Sequence, residues 1–341
     1  MALGEFNGYE ALSDWESLSR YKGQMVAEMA SSYDRSGGNL DINHYESPTG
    51  LQEENVDPVT VVTVDGPGVV TRFWMPHYTA DSAFKVKMYV DGSLAINTNS
   101  NDLLGGNFGY MDSPLVSTMV GGQVSYEPIV FAESLKIESR NYIFPDSGWM
   151  RRHYYQYNYR KLPAGTQVSA YTGALTSEQQ TARNAVAGMI ANVGENPAGN
   201  STSSSVLSVG GANIDAGESL ELSGLTGSGT IRRLNVKMNG ASDSELDNLR
   251  LRVRYDGQAN EAIDVPVSHF FGAGHERVVY KSLPLGTDSA EGFYSYWPMP
   301  FRDGVVVELY NASESTIAID SAAVEYESGA VAEDALYLHA S

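Results

Sequence analysis

The chain has 341 residues, 42% of them hydrophobic and 10% aromatic, which is enough apolar material for about two packed domains and excludes a disordered chain. Its 42 acidic residues outnumber 22 basic ones, giving a net charge of −20 that disfavours nucleic acid and anionic membranes as partners. The absence of cysteine excludes disulfides, zinc–thiolate sites and cysteine nucleophiles.

The N-terminal segment, residues 1–50, is predicted to begin with a helix near 11–30. Apolar residues recur there at helical spacing and indicate a packing face: Leu12, Trp15, Leu18 and Tyr21. The first residues are acidic where a secretory signal has a basic start, and no run reaches 18 apolar residues. We therefore expect a cytoplasmic protein.

A polar segment without periodicity follows at 31–46, around Gly37-Gly38. Ordering so many polar groups costs conformational entropy unless the groups are used. The segment is either a binding loop or a surface loop closed by a salt bridge of Arg35. As a binding loop it would present these substrate-binding side chains: Tyr33, Asp34, Arg35, Asn39 and Asp41.

Five segments of the first half recur in the same order in the second half. The clearest pairs are GPGVVTRFW with GSGTIRRLN, FKVKMYVDG with LRLRVRYDG, and VSYEPIVF with YSYWPMPF. Glycine turns followed by strands of period 2 are typical of short antiparallel strands. We therefore predict an all-β chain of two tandem jelly rolls, the first over residues 51–173 and the second over residues 206–341.

One strong helix candidate separates the two copies. It runs over 175–194, begins with a capping box at Thr176-Ser177-Glu178-Gln179 and ends at Gly194. The polar stretch ENPAGNSTSSS follows it. These features predict a helical linker over residues 174–205.

Several landmarks together resemble those of glycoside hydrolase family 172. They are SSYDRSGGNLD (31–41), GPGVVTRFW (66–74), YYQYNYRKLP (154–163), the YDG and FFG within 255–272, and YSYWPMPF (294–301). The resemblance implies a double jelly roll that assembles as trimers or hexamers. It also implies hydrolysis or transfer of furanosides, fructofuranosyl or D-arabinofuranosyl, without a cofactor. The family's fold is shared with major capsid proteins of tailless icosahedral viruses.

The resemblance further implies a retaining mechanism with two glutamates in the second half, in a site that a neighbouring subunit completes. Retaining hydrolysis needs two carboxyl groups about 5–5.5 Å apart. The catalytic candidates between the Asp256-Gly257 turn and Trp297 are Glu276, Glu291 and Asp264. Glu276 and Glu291 are otherwise solvated loop acids, and Trp297 is either a substrate-binding platform or a core residue.

Three positions depart from the family pattern. Asp264 stands where relatives have glutamate, and Gln258 stands where an acid is common. His269 follows Ser268 where Gly-Asp is usual. Because an amide cannot replace a carboxylate as nucleophile or proton carrier, these departures weaken the transfer of an intact active site.

No metal or nucleotide cofactor is expected. His44 and His77 with Asp41 are a weak metal pattern because they lie on separate loops. No glycine-rich loop leads from a strand into a helix in the way that phosphate-binding motifs do.

Three functions therefore stay open. The first is a furanoside hydrolase or transglycosylase acting on a furanoside oligosaccharide or glycan. The second is a structural double jelly-roll major capsid protein of a tailless icosahedral virus, which would be located in the virion. The third is a carbohydrate-binding relative that has lost catalysis. The polar loop favours the enzyme, and the departures at the carboxylate positions favour the other two.

Overall fold

A computed structural model describes residues 6–23, 25–38, 41, 59–76, 84–119, 121–140, 154–199, 201–275, 278–289 and 292–341. The chain forms two compact units. The first unit comprises residues 1–13 and 22–191, and the second comprises residues 14–21 and 192–341. No helix among the described residues is long and apolar enough to cross a bilayer.

Among the described residues, the first unit has ten strands and three helices. Its strands are β1 (Val26–Ser31), β2 (Val59–Asp65), β3 (Gly68–Met75), β4 (Lys85–Val90), β5 (Ser93–Asn99), β6 (Val116–Met119), β7 (Gly122–Ser125), β8 (Ile129–Phe131), β9 (Ser134–Arg140) and β10 (Gln156–Lys161). Its helices are α1 (Glu10–Ser13), α2 (Ser100–Leu104) and α3 (Ser177–Ala191). One antiparallel sheet has the order β1-β10-β3-β7-β6, with β8 also on β3, and the other has the order β2-β9-β4-β5.

The second unit repeats this plan. Its strands are β11 (Ser205–Val209), β12 (Ala212–Ile214), β13 (Ser219–Thr226), β14 (Gly229–Lys237), β15 (Leu249–Tyr255), β16 (Ile263–Pro266), β17 (Tyr280–Lys281), β18 (Leu285–Asp288), β19 (Gly292–Ser295), β20 (Met299–Phe301), β21 (Gly304–Asn311), β22 (Ile317–Ile319) and β23 (Ser321–Ser328). Its helices are α4 (Asp243–Asn248), α5 (Val267–Phe270) and a 3₁₀ turn at Trp15–Ser19.

The two units have matching strand orders. In the second unit one sheet runs β11-β23-β14-β19-β18-β17 with β20 on β14, and the other runs β13-β21-β15-β16. Among the described strands of the second unit, β12, β17 and β22 are additions, and each of the others has a counterpart at the same place in the first unit. The prediction of two tandem jelly rolls is confirmed.

The strands form because apolar and polar residues alternate along them. In β15, the side chains of Leu249, Leu251, Val253 and Tyr255 are buried, and the arginines between them face outward. The inward residues of both sheets meet in one apolar core in each unit. Burial of these aliphatic and aromatic side chains supplies the main driving force for each fold.

Identical local contacts explain why the sequence repeats. Gly68 and Gly229 pair with Phe131 and Phe301, and a Cβ on either glycine would overlap the ring of its partner. The repeated glycine is therefore required by close packing against the repeated phenylalanine.

The Asp-Gly turns are equivalent in the same way. Asp91 Oδ1 accepts hydrogen bonds from the backbone N–H groups of residues 132–134, at 2.7–3.1 Å. Asp256 Oδ1 accepts from those of residues 302–304, at 2.8–3.1 Å. Both aspartates have a φ near 50°, a conformation that aspartate tolerates better than most residues.

The helix predicted over 175–194 is present as α3, which belongs to the first unit. Thr176 Oγ1 accepts from the Gln179 backbone N–H at 3.2 Å, and Gln179 Oε1 accepts from the Thr176 N–H at 2.9 Å. These two bonds form the expected capping box. Gly194, with a φ of +104°, lies beyond the helix end.

A buried charge cluster fastens α3 to the first jelly roll. Arg183 Nε donates to Glu127 Oε1 at 2.7 Å, and its Nη2 donates to Asp112 Oδ1 at 2.6 Å. Tyr9 Oη donates to Glu127 Oε2 at 2.7 Å. Glu127 is fully buried. Burial raises the pKa of Glu127, although Tyr9 and Arg183 oppose the rise.

The predicted N-terminal helix is present as α1, but its predicted extent over 11–30 is wrong. Helix α1 ends at Ser13, a 3₁₀ turn capped by Asp14 follows, and 26–31 is strand β1, which pairs with β10 along its whole length. Leu18 and Tyr21 are exposed, at 45% and 64%, so they form no packing face. Pairing with β10 satisfies the backbone of this segment better than an isolated amphipathic helix would.

Candidate functional site

An open cleft of about 730 Å³ lies on the second unit beside strands β15 and β16 and helix α5. Its lining combines charged, polar and aromatic side chains with a few apolar ones. The members that bear on its chemistry are Arg250, Asp264, His269, Phe270 and Trp297. A volume in this range with a few convergent polar groups is typical of small-molecule sites.

Trp297 is half-buried at the wall of the cleft. The Ser295 hydroxyl accepts a hydrogen bond from the Trp297 backbone N–H at 3.4 Å, which shapes the turn after β19. The Trp297 ring stacks on Trp15 with 6.1 Å between ring centroids, and Trp15 Nε1 donates to the Tyr296 carbonyl at 2.8 Å. The 3₁₀ turn that carries Trp15 thus fixes the orientation of Trp297.

Asp264 meets two arginines on the outer face of the sheet. It is the register partner of Arg252, because strands β15 and β16 pair antiparallel and alternate residues face outward. Its Oδ1 accepts from Arg250 Nε at 2.5 Å and lies 3.3 Å from Arg252 Nε. The Arg252 guanidinium also stacks over Tyr310, 3.6 Å from the ring centroid. Asp264 is therefore a paired carboxylate at the wall of the cleft.

The polar loop predicted to bind substrate lies in the first unit and follows β1. Asp34 Oδ1 accepts from the Ser36 backbone N–H and hydroxyl at 2.9 and 2.6 Å, and Asp41 Oδ1 accepts from the Asp34 N–H at 2.8 Å. Arg35 donates to the carbonyls of Tyr33 and Ser31, both at 3.1 Å, and covers the half-exposed Tyr33 ring. These bonds order the loop from within.

The predicted residues are thus gathered in two groups. Asp264 and Trp297 share the cleft of the second unit, and Tyr33, Asp34, Arg35 and Asp41 share the loop of the first unit. Three further predicted residues lie outside the described residues: Glu276, Glu291 and Asn39. Their roles stay predictions.

A second cluster, which sequence reasoning missed, lies next to the cleft. Asp247 on α4, His269 on α5 and His275 on the following turn bring their ligand atoms together. His275 Nδ1 is 3.4 Å from His269 Nε2 and 3.3 Å from both Asp247 oxygens, and His269 Nε2 is 3.7 Å from Asp247 Oδ1. Imidazole and carboxylate are the donor types that transition metals take. His44 and His77, considered from the sequence, lie outside the described residues.

Two jelly rolls in tandem, with a mixed polar and aromatic cleft on the later one, define the class as a double jelly-roll protein. The family comparison agrees with that class. Residues 23–179 match the model described as the GH172 first beta-sandwich domain, and residues 207–324 match the model described as GH172 domain-like. The chain belongs to glycoside hydrolase family 172.

Comparisons with individual proteins are weaker. No curated protein sequence matches this chain significantly. The major capsid protein P2 of bacteriophage PM2 is similar at 8% identity and a TM-score of 0.23, over 91% of this chain and all of that one. A chain from the structure of Sulfolobus turreted icosahedral virus has 9% identity and a TM-score of 0.23, over 89% and 91%. AerE from Microcystis aeruginosa has 8% identity and a TM-score of 0.16, over 79% and 81%. With TM-scores this low, these similarities assign neither a function nor an assembly to this chain.

Proposed function

We propose that this protein hydrolyses or transfers furanosides with retention of configuration, and that the cleft beside Trp297 binds the sugar. The observation that carries this proposal is the meeting of Asp264 and Trp297 in one cleft of about 730 Å³. Both residues were candidates from the sequence, although they are far apart along the chain. The cleft lies on the second jelly roll, where the family resemblance expects the carboxylates.

The cleft has the chemistry that a sugar requires. The face of Trp297 offers an apolar platform for the C–H groups of a sugar ring, and its stacking on Trp15 holds that platform in place. Arg250 offers donors, Asp264 offers an acceptor, and each ring nitrogen of His269 offers one or the other, according to the tautomer. A rigid apolar surface with a few oriented polar groups determines where a small ligand binds and which ligands are selected.

Retaining hydrolysis has two steps. One carboxylate attacks the anomeric carbon and forms a glycosyl-enzyme bond, while the other carboxylic acid protonates the departing oxygen. The second group then removes a proton from water, whose oxygen attacks the anomeric carbon and releases the nucleophile. If a sugar hydroxyl replaces water in the second step, the outcome is transglycosylation.

We assign the two carboxylate roles to Glu276 and Glu291 and give Asp264 a binding role. The pairing of Asp264 with Arg250 and Arg252 supports this division. A carboxylate that accepts a charge-assisted hydrogen bond from Arg250 and forms an ion pair with Arg252 is held in one orientation, which suits the recognition of hydroxyl groups.

The test is a screen of aryl α-fructofuranoside and aryl D-arabinofuranosides between about pH 4 and 8. We expect Glu276→Gln and Glu291→Gln each to lower kcat by on the order of 10³-fold or more. Trp297→Phe should raise KM while the fold is kept. Trp74→Phe in the first unit is the matched control and should leave both constants within about twofold. Absence of turnover by the unaltered protein on every furanoside would overturn the proposal.

The assembly that the purified protein forms distinguishes the proposed enzyme from a capsid subunit. We propose self-association to a trimer or hexamer, as the family resemblance implies, and light scattering after size exclusion measures it. Electron microscopy of the same sample should show discrete particles of that size. Closed shells or extended sheets would instead support the capsid subunit, and sugar binding without turnover would support a binding protein that has lost catalysis.

A further inference from the structure

We propose that Asp247, His269 and His275 form a binding site for one divalent transition-metal ion of the zinc class. The site would have three protein ligands and one open coordination position. This inference goes beyond the proposed glycosidase function and does not depend on it, because it is measured by metal binding alone; His269 also lines the cleft, whereas Asp247 and His275 do not. Mixed imidazole and carboxylate donors favour zinc and its first-row neighbours over magnesium and calcium, which take oxygen ligands.

The spacing of the three donor groups is that of a tetrahedral site. Bonds of about 2.0–2.2 Å at tetrahedral angles place neighbouring ligand atoms about 3.3–3.6 Å apart. The observed separations are 3.4 Å between the two imidazole nitrogens, 3.3 Å from His275 Nδ1 to Asp247, and 3.7 Å from His269 Nε2 to Asp247 Oδ1. All three edges therefore lie within about 0.2 Å of those that a bound ion needs.

One proton on His275 Nδ1 cannot serve every contact within the cluster. A neutral imidazole has one N–H, so His275 Nδ1 either donates to Asp247 or accepts from His269. In the second case two lone pairs face each other across 3.3 Å, between His275 and Asp247. The separation of 3.7 Å between His269 and Asp247 is too long for a hydrogen bond. A cation between the three groups accepts one lone pair from each of them at once.

Buried residues next to two of the three ligands hold helices α4 and α5 together. Asp247 and His269 follow Leu246 and Ser268, both fully buried, and the Ser268 hydroxyl lies 3.5 Å from the Leu246 carbonyl, which joins α5 to α4. Gly274 has a φ of +72°, which turns the chain so that His275 returns to His269. Two of the three ligands therefore lie on helices that are packed together, so that ordering them around an ion costs less conformational entropy than ordering a mobile segment would.

The surroundings leave a route for the ion. The His275 side chain is 82% exposed, so the cluster is open to solvent. His269 also lines the cleft, and the fourth coordination position is therefore available to water or to a hydroxyl group of a ligand there.

The experiment is calorimetric titration of the full chain, stripped with EDTA, with ZnCl₂ at neutral pH. We expect one equivalent of Zn²⁺ to bind, and Asp247→Asn, His269→Ala and His275→Ala each to weaken binding by at least about tenfold. His339→Ala, an exposed histidine elsewhere in the second unit, is the matched control and should bind as the unaltered protein does. Far-UV circular dichroism checks that each variant is folded.

A second readout uses thermal unfolding. Saturating Zn²⁺ should raise the Tm of the unaltered protein and of His339→Ala, but not that of the doubly substituted His269→Ala, His275→Ala protein, because only a folded site binds the ion. MgCl₂ at the same concentration should raise neither. Equal Zn²⁺ affinity in the double variant and the unaltered protein, or no binding by either, would overturn the inference whether or not a furanoside is turned over.

Discussion

The first and second jelly rolls keep the same turn but place different residues in it. Ser125 and Ser295 each accept a hydrogen bond from the backbone N–H two residues on, which belongs to Glu127 in the first unit and Trp297 in the second. Glu127 is buried against Arg183, whereas Trp297 is half-exposed at the cleft. One duplicated scaffold therefore uses equivalent positions for internal fastening in one copy and for a surface cleft in the other.

The largest effect on stability is expected from the buried charge cluster of Tyr9, Asp112, Glu127 and Arg183. Glu127→Ala leaves Arg183 and the hydroxyl of Tyr9 in a buried place without their main partner, and should lower the free energy of unfolding by about 3–5 kcal/mol. Urea denaturation measures the loss. Glu133→Ala, at an exposed position of the same unit, should change stability by less than about 0.5 kcal/mol. Similar values for both variants would contradict a fastening role.

The next effect tests whether the two copies share their packing. Gly68→Ala and Gly229→Ala each place a methyl group against a phenylalanine ring, and each should cost about 1–3 kcal/mol in thermal or urea unfolding. Gly188→Ala in helix α3 meets no neighbouring atom and should instead stabilise by about 0.5–1 kcal/mol. A cost at only one of the two strand glycines would break the equivalence of the copies.

The smallest effect concerns the Asp-Gly turns. Burial opposes ionisation of Asp256, but hydrogen bonds from Tyr337 and from the backbone N–H groups of residues 302–304 lower its pKa below the ordinary value. A lowered pKa stabilises the folded state above the unfolded value of about 3.9, and this stabilisation is lost as the pH falls through the folded pKa. Asp256→Asn should therefore cost about 1 kcal/mol at pH 7 and less near pH 3.

Asp91→Asn is the matched comparison for that variant. Asp91 accepts the same three backbone hydrogen bonds, and Asp256 has the hydroxyl of Tyr337 in addition. Urea midpoints between pH 7 and 3 should therefore show the larger loss for Asp256→Asn. An equal or larger loss for Asp91→Asn would mean that Tyr337 contributes nothing.

Local patterns predicted much of the fold. The alternation in β15 and the repeated glycines identified strands and turns that recur in both units, because each signal acts over a few residues. The capping box of α3 was readable for the same reason. Strand β1 could not be predicted from a local pattern, because its pairing with β10 depends on residues more than a hundred positions away.

The candidate site was only partly readable. Asp264 and Trp297 were found through the family resemblance, and their meeting in one cleft required the structure. The pairing of Asp264 with Arg252 follows from strand register, which the β15 pattern of alternating arginines could have indicated. His269 appeared in the sequence only as a departure from the family pattern.

The sequence by itself determined that the chain is all-β, duplicated and strongly acidic, since composition and short-range periodicity report directly on strands, turns and charge. Only the tertiary structure decided which side chains meet. Asp247 and His275 are 28 residues apart, and neither lies in a motif that relates it to the other. Their approach depends on the turn at Gly274 and on how α4 packs on α5. The packing of the two helices is a contact that no local sequence pattern encodes.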